Sequence, residues 1–206
     1  MLENANLTPA PSDAAGLNKF VEVVKNMCGV DLESKKDMIK QRLINFCQAN
    51  RIPSFEALSS KVLVDRFMRQ EIVNLITTNE TYFYRELPQL QAAIYYAREE
   101  LDSVRILCAP CSTGDEAYSL GMLAHSNLLD VNRVSIVGVD INSEAIDSCK
   151  KGVYNERSLH RLNDNQKNIY FTKRDGKYEI KREMLPRCEF SVANIFDDAI
   201  FKLGKF

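Results

Sequence analysis

The sequence lacks any apolar run approaching the ~18 residues that span a bilayer, and it carries no excess of charge of either sign. Lys and Arg number 27 against 28 Asp and Glu, for a formal net charge of −1. That balance gives no global pull toward nucleic acid or a membrane surface, so neither a nucleic-acid partner nor membrane insertion is expected. Histidine is scarce: the 2 present, His125 and His160, offer no zinc-ligand cluster with the single C-x-x-C, Cys108 and Cys111, so no metal is expected. The pair reads as small residues lining a tight turn, with a redox pair as the alternative. No signal peptide precedes the 6 cysteines, which points to reduced thiols and a cytoplasmic protein. A monomer is expected.

What is present changes character along the chain. Residues 1–16 are polar and rich in Pro and Ala, reading as a disordered lead-in. From Leu17 the pattern is helical. Leu17, Phe20, Val21, Val24 and Met27 recur at spacings of three and four, with Gly29 placed to cap the end. Ser34 to Asp37 has capping-box spacing and predicts a helix over 35–49 with Ile39, Leu43 and Phe46 as its apolar stripe. Two further helices, "SFEALSSKV" and "VDRFMRQEIVNLIT", complete an all-helical domain over residues 17–76.

Residues 77–86, "TTNETYFYRE", follow neither a helical nor a strand period and read as an interdomain linker. Beyond them, residues 87–206 alternate strand and helix. "VRILCA" and "RVSIVGVD" read as buried strands, "DEAYSLGMLAHSN" and "NSEAIDSCKKG" as the helices that follow, and Ser143 as the N-cap of the second helix. This order predicts a parallel sheet with crossover helices. "KRDGKYEI" carries an Asp-Gly hairpin signal within the stretch near 170–187, and "CEFSVAN" supplies a third sheet strand. A doubly wound sheet ordinarily has more strands, so the chain reads as the front part of a longer protein.

Open parallel sheets bind ligands at the carboxyl ends of their strands. Two features fall there. In the turn "CAPCSTGDEAYSL", a phosphate cradle would read G-x-G-x-x-G, but only Gly114 is present. Glu116 at the helix mouth repels a pyrophosphate and suits an ammonium group. Asp140, ending the second strand, is placed either to accept hydrogen bonds from ribose hydroxyls or to complement the next helix dipole. Together these favour adenosine plus an amino acid without phosphate, the description of S-adenosylmethionine, over an NAD-type dinucleotide.

The segments "TNETYFYRE", "CSTGDEAYSL", "VGVDIN" followed by "GVYNERSL", and "FSVANIF" resemble, in order, the chemotaxis receptor methyltransferases of the CheR family. The resemblance covers roughly residues 30–206. It implies an all-helical receptor-recognition domain followed by a Rossmann-like α/β methyltransferase domain with an incomplete parallel sheet and a small β-hairpin subdomain. It implies that Asn79, Thr81 and Arg85 reach the cofactor site, that Glu116 and Asp140 bind the amino-acid and ribose ends of S-adenosylmethionine, and that Asn194 and Ile195 line the adenosine side. S-adenosylhomocysteine is the implied product, and the implied substrates are glutamates in the cytoplasmic helical bundle of methyl-accepting chemoreceptors. A later Arg-Asn pair of the family is expected beyond Phe206. Pro110, Asp115 and Ala117 depart from the family's usual residues.

A glutamate is ionised at pH 7 and needs no general base to attack a sulfonium methyl. Arg85 is therefore assigned to orient the incoming carboxylate; the alternative is an ion pair with Glu80 or Glu86. Lys35, Lys36, Lys40 and Arg42 flank the apolar stripe of the second helix. The resemblance makes them the receptor-docking surface, where the plain reading is a solvated helix face. A non-catalytic truncated relative, acting as a cofactor-binding or receptor-docking signalling protein, is the competing function.

Overall fold

The computed structural model describes residues 14–206 except 101, 102 and 128. It falls into two units divided between Thr77 and Thr78. The tail expected over 1–16 thus lies outside the described residues as far as residue 13, and Ala14, Ala15 and Gly16 already belong to the first helix.

Among the described residues the first unit holds four α-helices. α1 (Ala14–Cys28) buries Leu17, Phe20, Val21 and Val24 and ends at Gly29, whose φ of 78° lets its N–H close on Lys25 O at 2.8 Å. α3 (Phe55–Val64) starts where Ser54 accepts from Ala57 N, and α4 (Arg66–Ile76) where Asp65 accepts from Phe67 N and Met68 N. Phe20, Leu43, Leu58 and Ile72 are fully buried. Each such side chain contributes about 1.5–3 kcal/mol relative to exposure.

α2 (Lys36–Ala49) corrects the sequence reading at its start. Ser34 does not cap it: residues Glu33–Lys35 wind as a 3-10 turn, and Lys35 holds the N-cap position with no side-chain hydrogen bond. Leu32, fully buried, anchors the chain one residue before that turn. Packing sets the entry angle and overrides the local hydroxyl signal. The buried stripe is Ile39, Leu43 and Cys47, with Phe46 only half-buried.

The second unit opens with the turns of residues 83–86 and α5 (Leu87–Glu100), and is built on a parallel sheet. Its strands are β1 (Val104–Cys108), β2 (Val134–Asp140) and β6 (Arg187–Val192), in the order β1-β2-β6. Register runs from Val104 opposite Val134 to Cys108 opposite Gly138, and from Ser135 opposite Arg187 to Asp140 opposite Val192. β2 is central and buried along most of its length, which accounts for its nearly unbroken apolar run. α6 (Asp115–Ser126) follows β1, and α7 (Ser143–Lys151) follows β2. This is a Rossmann-like arrangement.

Gly138 is forced by packing. A Cβ there would stand 2.6 Å from Phe190 Cδ1 and 3.1 Å from Cys111 Sγ. The N-cap of α7 is Asn142, whose Oδ1 accepts from Ala145 N at 2.9 Å, one residue earlier than the predicted Ser143.

The predicted hairpin is one part of a second sheet, ordered β3-β5-β4. β4 (Phe171–Arg174) and β5 (Lys177–Ile180) flank Asp175 and Gly176, both left-handed with φ of 49° and 73°. β3 (Val153–Tyr154) and the capping-boxed α8 (Asp164–Tyr170) carry no sequence signal of comparable strength. Phe83 joins this sheet to the segment before α5, meeting Tyr154 and Phe171 edge-on at 4.8 and 5.1 Å. Among the described residues no helix is long and apolar enough to cross a membrane.

Candidate functional site

The carboxyl end of β1 leads into residues 109–114, a turn held from several sides. Cys111 N–H donates to Val139 O at 2.8 Å. Tyr154 donates its hydroxyl to Thr113 O at 2.9 Å, and Cys149 Sγ lies 3.1 Å from Ser112 O. Gly114 closes the turn at φ 87°, where a Cβ would come within 3.0 Å of Cys149 Sγ. The turn therefore passes flush against α7, as a backbone that must approach a ligand closely should.

Asp140 organises the neighbouring strand end. Its Oδ2 accepts from Ser112 N at 2.8 Å and its Oδ1 from Asn142 N at 2.9 Å. One carboxylate thus fixes the β1 turn and the start of α7 together, a more central position than either sequence reading assigned. A carboxylate has about four acceptor sites, so both oxygens keep capacity for hydroxyl donors. Ala193 N–H donates to Asp140 O at 3.0 Å, bringing Asn194 and Ile195 to the same end of the sheet. Asn194 Oδ1 accepts from Phe196 N, and Ile195 is exposed.

Glu116 is exposed in the first turn of α6, and among the described residues no cation pairs with it. Burial, then the nearby Glu116 carboxylate, pushes the Cys108 thiol well up. Cys108 and Cys111 are free, buried thiols. Those are the surroundings of a structural cysteine and not of a reactive one.

Asp115, read from sequence as a neutral departure, is fully buried. Its Oδ2 accepts from Thr113 Oγ1 at 2.5 Å, while Oδ1 has no partner among the described residues; nor does Ser112 Oγ. Burial pushes its carboxyl up to about 6, opposed by the Thr113 hydroxyl. The available signal was α6 itself, whose run "AYSLGMLA" is apolar nearly all round. A helix of that kind is enclosed, and its first residue is enclosed with it.

Residues 79–86 form one wall of an open cleft of about 650 Å³. Asn79, Glu80, Thr81, Arg85 and Glu86 line it together with Thr113 from the β1 turn and with residues 155, 157, 158 and 160. Glu116, Asp140, Asn194 and Ile195 do not line this cleft; they ring the strand ends, with Thr113 belonging to both regions. Lys35, Lys36, Lys40 and Arg42 lie in the first unit.

Arg85 is held by its Nη1 donating to the backbone carbonyl of Glu80 at 2.8 Å. Among the described residues it pairs with neither Glu80 nor Glu86, so the expected alternative of a structural ion pair is absent. Left-handed residues flank it, Tyr84 at φ 60° and Glu86 at φ 50°, conformations that cost of order 1–3 kcal/mol each and persist only where surroundings impose them. The imposing contacts are the buried Phe83 ring, the Phe83 N–H donating to Ser158 O at 2.9 Å, and Tyr84 N–H donating to Ser119 Oγ at 3.0 Å.

These features fit a ligand that brings an ammonium group and hydroxyls: an unpaired carboxylate at Glu116, spare acceptor capacity at Asp140, and a close-packed turn with orphaned polar atoms behind it. Comparison with known proteins agrees. The family model described as CheR methyltransferase, SAM binding domain, matches residues 79–204, and that described as CheR methyltransferase, all-alpha domain, matches residues 15–77. A chemotaxis protein methyltransferase of Campylobacter jejuni subsp. jejuni serotype O:2 is 39% identical over 191 residues, covering 92% of this chain and 72% of the relative. Its counterpart from Salmonella typhimurium is 26% identical over 200 residues, covering 93% and 69%. The cofactor is S-adenosylmethionine, and the chain belongs to the CheR methyltransferase family.

Proposed function

We propose that the chain transfers a methyl group from S-adenosylmethionine to glutamate side chains of methyl-accepting chemoreceptors. The observation that carries this reading is Arg85: a guanidinium held by a backbone carbonyl, without an ion pair among the described residues, lining a cleft that shares Thr113 with the cofactor turn. When bound, S-adenosylmethionine supplies an electrophilic sulfonium methyl. The protein's part is to bind and align. Glu116 takes the ammonium end, Asp140 accepts from the ribose, Asn194 and Ile195 border the adenosine, and Asn79 and Thr81 reach the cofactor from the cleft.

Arg85 holds the incoming carboxylate in a fixed plane. A carboxylate is already ionised at neutral pH, so alignment and desolvation are the contributions required. On α2, Lys36 is drawn to Glu33 at 2.5 Å and Asn18 at 2.8 Å, which leaves Lys35, Lys40 and Arg42 as the cations facing outward for an acidic receptor bundle. Rim charges of this sort mainly set association rate and salt dependence.

The test is incorporation of labelled methyl from S-adenosylmethionine into a chemoreceptor cytoplasmic fragment. Base-labile label on glutamates, abolished in Arg85→Ala and reduced in Arg85→Lys, is expected. Receptor binding without label would favour the docking-only protein instead.

A further inference from the structure

The cleft that Arg85 lines holds a second cation, Arg157, which the sequence reading left without a role. We infer that Arg157 is a specificity-determining residue that binds a further carboxylate of the acceptor, so that the cleft selects an acidic segment and not an isolated glutamate. This rests on the proposed methylation of protein glutamates.

The loop carrying Arg157 is fixed, and its charges are sorted. Leu159 is fully buried beneath it, and Ser158 N–H donates to Asn155 Oδ1 at 3.0 Å. The loop is tied to the Arg85 wall by the Phe83 N–H to Ser158 O bond of 2.9 Å and by the Tyr82 ring lying 4.6 Å from that of His160. The backbones that carry Arg157 and Arg85 are therefore held together at one cleft. His160 reinforces this: its Nδ1 lies 2.8 Å from Arg157 O, and since a carbonyl only accepts, Nδ1 carries the proton.

The acid in this loop is taken elsewhere. Glu156 is ion-paired with Lys167 and accepts from the Tyr178 hydroxyl, so it does not neutralise Arg157. Among the described residues the Arg157 guanidinium has no ion pair, although it lines the cleft. A cleft of about 650 Å³ is several times larger than one glutamate side chain. Arg85 and Arg157 line one cleft that also holds Glu80 and Glu86, and among the described residues neither guanidinium is ion-paired; the two suit a segment that presents two carboxylates, with Arg85 holding the accepting one and Arg157 its neighbour.

The experiment measures binding of two helical peptides to the full chain saturated with S-adenosylhomocysteine. One peptide carries a central glutamate flanked by glutamates on adjacent turns; in the other the flanking residues are glutamine. Arg157→Ala should weaken the first peptide about fivefold at low salt, with partial rescue in Arg157→Lys. It should leave the second peptide and the affinity for S-adenosylhomocysteine unchanged. Equal binding of the acidic peptide to wild type and Arg157→Ala, or equal loss for both peptides, overturns the inference. Peptide binding that depends on Arg157 in a chain that transfers no methyl would refute the proposed activity while upholding the Arg157 contact. No binding by wild type overturns both.

Discussion

Asp115 yields the sharpest quantitative expectation. Its side chain is fully buried, one carboxylate oxygen accepts from Thr113 and the other has no partner among the described residues. Burial raises the carboxyl from its ordinary 3.8 to about 6. Between those values the folded chain holds a proton that the unfolded chain has released, so stability falls as pH rises through that window. At 1.36 kcal/mol per decade of proton affinity, the full penalty is about 3 kcal/mol, of which about 2 kcal/mol develops between pH 4 and 6.5. Exposed Asp31 and Glu156 are lowered by hydrogen bonds from Lys25 and Lys167. They act in the opposite sense and at lower pH, adding stability only as pH rises to the ordinary carboxylate range.

Asp115→Asn keeps the shape and an oxygen for Thr113 while removing the charge. The variant should lose the decline and exceed wild type by up to about 3 kcal/mol at pH 7, which is the wild-type penalty. Urea unfolding followed by circular dichroism from pH 4 to 7.5 measures this, reading the transition of the second unit separately because two units need not unfold together. A wild-type stability that is flat or rises across pH 4–6.5, or an Asp115→Asn profile parallel to wild type, would refute the reasoning.

Two other expectations rest on packing and on charge. Gly138→Ala places a Cβ 2.6 Å from Phe190 Cδ1; the ring must move, and a loss of about 1–3 kcal/mol is expected, read as a lowered Tm that S-adenosylhomocysteine only partly restores. Reversing Lys35 and Arg42 to Glu should slow association with a receptor fragment in a salt-dependent way, measured by stopped flow, with cofactor affinity unchanged.

Much of this could be read from residue pattern alone because it depends on local chemistry. The strand-turn-helix around Gly114, the acid ending β2, and the Asp175-Gly176 hairpin all announce themselves through residues with few alternatives. What stayed hidden depends on neighbours distant in sequence. Ser34 has the spacing of a cap, yet the burial of Leu32 winds its segment into a 3-10 turn. Ser143 and Asn142 are both competent caps, and the Asp140 bond to Asn142 N decides between them. Lys36 looked like a free docking charge until Asn18 and Glu33 were placed beside it. Residues 155–160 have no regular period, and the Phe83–Ser158 bond and the Tyr82–His160 ring contact bring them to the cleft that Arg85 lines.

The central claim is that Glu116 and Asp140, at the carboxyl ends of the sheet, hold S-adenosylmethionine for transfer. Calorimetric titration with S-adenosylhomocysteine tests it most directly. Wild type should bind, and Asp140→Ala, which removes both the proposed ribose acceptor and the carboxylate that orders Ser112 and Asn142, should bind at least about tenfold more weakly. No heat of binding with wild type, or equal affinity in Asp140→Ala, would contradict the account.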